Sequence, residues 1–244
     1  MSTKDYFSGH SKLYATFRPT YPEDLYVFIF KHIKNFDTAW DCATGNGQVA
    51  QVLAKHFISV EATDISQQQL DNAFQIKNIR YSAQRAEQTT FPNNHFDLIT
   101  VGQALHWFDL DKFYIEVNRA AKKDGLLAVW GYAVCSVNPQ VDEHFNHFYN
   151  HVVGPYWDSA RKMVEEEYKN VPFPFEQIIT PKFSIIVEWT LEEFAGYLTT
   201  WSATQKFIKD KNYNPVQEVV KLIQPYWNEK EKVTFPVFLK LGRT

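Results

Sequence analysis

Residues 41 to 47 read Asp-Cys-Ala-Thr-Gly-Asn-Gly, a turn of small residues set between a short apolar run and a helical pattern. Small side chains at Ala43, Gly45 and Gly47 let the backbone come close to a ligand. The N–H groups that open the following helix carry positive partial charge and attract an anionic group. A nucleotide-like cofactor suits such a turn. Gly45 to Ala50 also fits the dinucleotide pattern GxGxxA, which several Rossmann relatives share, so a nicotinamide dinucleotide stays among the alternatives. Two features weigh towards S-adenosylmethionine. Asp41, four positions before Gly45, would repel a pyrophosphate but attracts the amino group of a methionine moiety, and a helix precedes the first strand.

Asp64 closes a second apolar run about 20 residues beyond the glycine turn, an offset at which an acid meets a ribose. A carboxylate there accepts two hydroxyl bonds at the C-terminal end of a strand; the other role open to Asp64 is to cap the helix that begins near Ser66. Gln103 and His106 follow the fourth apolar run and project from the same sheet edge. Neutral imidazole, with an ordinary pKa near ~6.5, makes His106 a candidate general base, and packing beside Trp107 is the alternative. Methyl transfer from a sulfonium is an in-line displacement, so a carboxylate acceptor would need no base. Tyr14, Phe17, Arg18 and Tyr21 lie just ahead of the first helix, in a segment able to close over both ligands. Arg18 can pair with a carboxylate of the cofactor or of an acidic substrate, or stand as a surface Arg between turn prolines. His144, His147 and His151 share a helical face, but no Cys supports a metal site there and none is expected.

The elements that must position these groups follow from periodicity. Pro22 opens a helix with Leu25, Tyr26, Phe28, Ile29 and Ile33 on its apolar face. Strands are expected over residues 37–42, 58–63, 79–83, 95–102 and 125–132, with helices over 48–57, from Ser66 and over 111–121. Strands and helices that alternate in this way predict an α/β, Rossmann-like, doubly wound and mostly parallel sheet. Residues 136–172 read as a helical cap insertion on a core of 1–135. Residues 173–244 complete the sheet and the substrate pocket, with a strand at 183–189, helices near 190–203 and 214–227, and an antiparallel closing strand from Val233 to Leu241. Pro236 cannot donate to a ladder, so this last strand needs an edge or a bulge.

Composition narrows the partners. A net charge of −3 lacks the basic excess that neutralises phosphates, which excludes nucleic acid as the expected partner and favours a small molecule. Six arginines are spread along the chain, Arg18, Arg80, Arg85, Arg119, Arg161 and Arg243, so planar recognition of an anion has few candidates. The start has no secretory apolar region and no run approaches a membrane span, so a cytoplasmic protein with no membrane contact is expected. Cys42 and Cys135 match no metal or redox spacing. Twenty Phe, thirteen Tyr and seven Trp exceed what a plain α/β core requires, and part of them suit a pocket lining. Oligomeric state leaves no signal.

Three stretches taken in series, DCATGNGQVA, VEATDIS and AEQTTFPNNHFDLITVGQALHWFD, resemble the successive motifs of class I S-adenosylmethionine-dependent methyltransferases. YATFRPTYP resembles the N-terminal segment of the subgroup that contains trans-aconitate methyltransferase. The resemblance covers roughly residues 14 to 132. It implies that Gly45 and Gly47 flank the methionine moiety, that Asp64 holds the ribose hydroxyls, and that Ala86 and Glu87 sit near the adenine. Asp41, Ala43, Ile65 and Gln103 complete the expected cofactor set; Tyr14, Arg18, Tyr21, His106 and Trp107 form the expected acceptor set. Ala43 departs from the family, which carries a glycine there, and a left-handed backbone at that site would cost ~1 kcal/mol or more. The implied activity is methyl transfer to a small organic acid or hydroxyl metabolite. A non-catalytic S-adenosylmethionine-binding module and an NAD-dependent oxidoreductase are the alternatives.

Overall fold

Pro22 opens helix α1 (Glu23–Phe30), where its missing N–H costs no bond and the acids Glu23 and Asp24 complement the positive end of the helix. The computed structural model, which describes residues 17–244, places Leu25, Tyr26 and Ile29 of this helix in the core. Strand β1 (Thr38–Cys42) follows, then α2 (Gln48–Leu53), β2 (Ser59–Asp64) and α3 (Gln67–Asp71). Strands β3 (Ile79–Ala83) and β4 (Phe96–Gly102), helix α4 (Leu110–Ala120) and strand β5 (Ala121–Tyr132) complete the first half. Ser66 and Asp109 cap α3 and α4 by accepting from the amides of Gln69 and Lys112. α2 and α3 are shorter than periodicity predicts, because the backbone bonds tighten after Leu53 to Lys55 N to Val52 O and His56 N to Leu53 O, and at the end of α3 to Asn72 N to Gln69 O and Ala73 N to Leu70 O.

Beyond β5 lie α5 (Pro139–His147), α6 (Arg161–Glu165), β6 (Glu176–Ile178), β7 (Phe183–Trp189), α7 (Leu191–Thr199), α8 (Ser202–Lys211), α9 (Val216–Ile223) and β8 (Glu231–Arg243). The sheet order is β3-β2-β1-β4-β5-β8-β6, with β7 paired to the other half of β8. β1 to β5 run parallel and β8 is antiparallel to β5. This is the mostly parallel α/β sheet with an antiparallel closing strand that the alternation predicts. β6 escaped the sequence because three residues carry no readable period. Pro236 pairs with Ser184 of β7, while its carbonyl accepts from Ala133, just where the opposite chain leaves the ladder before returning at Ser136. Its absent N–H therefore faces a bulge.

Apolar clusters cover both faces, as a parallel sheet requires. α1 and α2 pack one face together with Phe145, Phe194 and Trp201 of the helical layer; α4 packs the other, with Trp40, Tyr168 and Phe173. The helical layer draws on two stretches of chain, since α9 packs on α5 and α7. No described helix is long and apolar enough to cross a membrane.

Candidate active site

The C-terminal ends of β1, β2 and β4 meet in a cleft of about 940 Å3, at the edge where open α/β sheets gather ligands. Ala43, Gly45 and Gly47 all take left-handed backbone, at φ 55°, 57° and 84°. Thr44 N donates to Thr63 O, which ties the loop to β2. A Cβ on Gly45 would meet no atom within 4 Å, so that face of the loop opens onto space. Gly47 is absent from the cleft's lining; a side chain there would collide with the Tyr81 hydroxyl, so a glycine is required to shape the turn.

Ala43 holds a conformation that costs a residue with a Cβ about 1 kcal/mol. Ala43→Gly is therefore expected to raise Tm by about 2 to 4 °C, with the greater freedom of unfolded glycine offsetting part of the gain. Calorimetric melting reads the sign. A lowered Tm would mean that packing of the methyl against Trp40 and its neighbours outweighs the strain.

Beneath the loop, Asp41 is 1% exposed. One of its oxygens accepts from the Thr44 hydroxyl and the Ala50 amide, and the other accepts from the Thr100 hydroxyl at 2.8 Å. Burial pushes the Asp41 carboxyl up to about 6; the three donors oppose the rise and the charge of Asp64 adds to it. A carboxylate so placed gains from a cationic neighbour.

Asp64 ends β2 with one oxygen accepting from Gly45 N at 2.9 Å and the other from Ser66 N at 2.9 Å. Its two expected roles are thus compatible: it supports the start of α3, and a carboxylate has lone-pair sites for more than two donors. Ile65 leaves an apolar side chain 46% exposed on the cleft wall, and Ala86 is buried across from the loop. Glu87 accepts from Asp109 N at 3.1 Å and meets Arg85 at 3.3 Å, so its carboxylate holds two loops together. Gln103 takes a left-handed backbone at φ 55°, and its carboxamide accepts from Tyr132 N at 2.7 Å. That side chain extends β4 against β5 by one further rung.

Arg18 donates to the Tyr132 hydroxyl at 2.6 Å and to Thr200 O at 3.4 Å, with its guanidinium 5.4 Å from the Tyr197 ring. Tyr21 stands edge-on to Trp130 at 5.5 Å. Both line the cleft, as does Trp107; Tyr14 lies outside the described residues. His106 faces a side cavity of about 60 Å3 instead, which shares Arg18, Gln103, Trp107 and Asp158 with the cleft and adds Trp157, Arg161, Tyr197 and Trp201. Burial and then the charge of Arg161 pull His106 down to about 3, against the opposing charge of Asp158. An imidazole with so low a pKa is a weak base, which corrects the expectation of a proton acceptor matched to neutral pH. Arg161, Trp157 and Asp158 were not singled out from the sequence. The scarcity of arginine was the signal available for the first of them.

A buried carboxylate under an open glycine-bearing loop, a second one at the end of β2 and an exposed apolar face beside it fit a ligand with a cationic amine, a ribose and a base. The fold and site define a class I S-adenosylmethionine-binding α/β protein. A family model described as a methyltransferase domain matches residues 40–129. A protein of Dictyostelium discoideum classed as a methyltransferase is 32% identical over 98% of this chain and 95% of its own length. A solved structure from Anaeromyxobacter dehalogenans, classed as a type II methyltransferase, superposes with a TM-score of 0.86 at 32% identity, covering 93% of this chain and 98% of that one. A protein of Saccharomyces cerevisiae classed as an S-adenosylmethionine-dependent methyltransferase is 21% identical over 87% of this chain and 84% of its length. The chain belongs to the methyltransferase family, and S-adenosylmethionine is its cofactor. The dinucleotide alternative finds no support in these matches.

Proposed function

We propose that the protein methylates a small organic acid on oxygen, with the acceptor's carboxylate drawn to the side cavity. The observation that carries this reading is Arg18, a cation on the wall shared by cleft and side cavity, with Arg161 a second cation lining the cavity. When bound, S-adenosylmethionine supplies an electrophilic methyl group. Asp41 and Asp64 face the parts of the cleft where an amine and hydroxyls are favoured, and the Arg18 guanidinium orients an ionised acceptor. Trp107, Trp157 and Trp201 enclose the acceptor's path and exclude water from the displacement. An ionised acceptor already carries its nucleophilic lone pair, so the low basicity of His106 is no obstacle. The resemblance of YATFRPTYP to the trans-aconitate subgroup favours the same acceptor class. A net charge of −3 favours a small acceptor over nucleic acid.

A panel of small carboxylic acids and their neutral amide or alcohol counterparts, assayed with S-adenosylmethionine, tests the proposal. Turnover is expected on acids, and Arg18→Ala is expected to raise KM by about tenfold or more through the lost charge-assisted pair, with a smaller change in kcat. A hydroxyl metabolite as the acceptor would show the reverse preference, and equal KM in variant and parent would remove Arg18 from acceptor binding.

A further inference from the structure

The side cavity holds two groups whose bonding is one-sided. Arg161 is pinned at Nε, which donates to the Tyr149 hydroxyl at 3.2 Å, and its guanidinium lies 5.0 Å from the Trp157 ring. The Tyr149 hydroxyl in turn bonds Glu165. The terminal nitrogens of Arg161 make no hydrogen bond or ion pair among the described residues, and Arg161 lines the cavity. A guanidinium fixed at its stem with its fork left open is organised for a planar anion. His106 repeats the pattern: Nδ1 meets the Tyr168 hydroxyl at 2.8 Å, and Nε2 has no hydrogen bond among the described residues.

The direction of that Tyr168 bond decides what His106 offers. Tyr168 is fully buried, its ring set edge-on to Phe238 at 5.1 Å, and burial raises the pKa of its hydroxyl, so the proton stays on oxygen. Of the two groups, the phenol is the stronger proton donor and the imidazole lone pair the stronger acceptor, so across 2.8 Å the hydroxyl directs its own proton to Nδ1. The remaining imidazole proton then sits on Nε2. Glu167 and Tyr168 both hold left-handed backbone at φ 54°, with Tyr168 N bonded to Met163 O at 2.8 Å. Two consecutive non-glycine residues in that region are strained, and strain of this kind persists where the surrounding structure requires the placement.

We propose that Tyr168 is a positioning residue that fixes His106 as its Nε2–H tautomer, and that this N–H and the Arg161 fork form a subsite for one carboxylate of the acceptor. The inference rests on the proposed acid acceptor. The cavity's 60 Å3 gives room for a few waters or one carboxylate group. Asp158 is the acid facing this space; it accepts from Ala160 N at 3.2 Å and has Lys206 at 3.8 Å, while Arg18 adds a further cation at the mouth. Two guanidinium groups and one acid therefore line the cavity, so positive charge prevails there.

Histidine-selective 15N NMR of the full chain, with His106 assigned by loss of its signals in His106→Gln, tests the tautomer without any acceptor. The expected spectrum shows a non-protonated Nδ1 and a protonated Nε2 from about pH 5 to 9, and Tyr168→Phe is expected to release the ring into a tautomer mixture. An Nδ1–H tautomer, or titration within that range, would overturn the positioning role. Benzoate and its neutral isostere benzamide then probe the subsite by calorimetry on protein saturated with S-adenosylhomocysteine, which fills the cofactor's own carboxylate position. Benzoate is expected to bind about tenfold tighter than benzamide. That preference is expected to vanish in Arg161→Gln, to survive in part in Arg161→Lys, and to fall about fivefold in Tyr168→Phe. Equal binding of the two probes, or a preference unchanged in Arg161→Gln, would sink the subsite. Failure of S-adenosylhomocysteine itself to bind would instead count against the cofactor cleft, and the NMR result would still decide the tautomer.

Discussion

Lowering the pH through about 6 is expected to weaken S-adenosylmethionine binding by up to about tenfold per unit, because Asp41 takes up a proton there and no longer attracts a cationic amine. The sign follows from burial. A carboxyl whose pKa rises from 3.8 to about 6 in the folded state binds more protons than its unfolded counterpart between those values. The apoprotein therefore loses stability as pH rises through that window, by about 3 kcal/mol in all, and sits flat above it. A bound ammonium group favours the ionised form, so binding and stability run in opposite directions with pH. Isothermal calorimetry across the window checks the first trend, and thermal melting of the unliganded protein checks the second. Asp41→Asn is expected to flatten both and to weaken binding near neutral pH by about tenfold or more. A pH-independent dissociation constant in the parent would separate Asp41 from the amine.

Replacing Asp64 by Ala is expected to weaken cofactor binding by ~1.5 to 3 kcal/mol, about tenfold to 150-fold in Kd. Two losses combine in that figure. The ribose hydroxyls lose a charged acceptor, and the Gly45 and Ser66 amides lose the carboxylate that holds the loop and the start of α3 in place. Asp64→Asn separates them, since one amide oxygen still accepts a backbone N–H while the charge is gone. Intermediate affinity with a parent-like Tm is the expected result for Asn. If Ala and the parent bind alike, the ribose assignment is wrong.

The sheet and the cofactor turn were legible because strand, turn and helix succeed one another locally, and each leaves a period or a breaker in the chain. Asp41, Ala43, Gly45, Asp64 and Ile65 all reach the cleft for that reason, since their positions are set within a few residues of a strand end. The side cavity was legible only in part, through Arg18, His106 and Trp107. Trp157, Arg161 and Tyr168 come from a segment read only as a helical cap, and Tyr168 reaches His106 from 62 residues away in the chain. The left-handed backbone at Glu167 and Tyr168 belongs to residue types that no turn rule assigns to it. The basicity of His106 was hidden too, because it depends on burial by groups the sequence does not place beside it. Gln103 was read as a ligand contact; it lines the cleft, and its carboxamide also mimics a backbone rung.

Arg18, Gln103, Trp107 and Asp158 each belong to the walls of both cavities. With the acceptor placed as proposed, these shared residues couple the two ligands, and thermodynamics makes their influence mutual: whatever factor the methyl donor imposes on acceptor affinity, the acceptor imposes on donor affinity. If the acceptor sits where it is proposed, the spent cofactor shares that wall too, and acceptor excess is then expected to slow turnover through a dead-end complex.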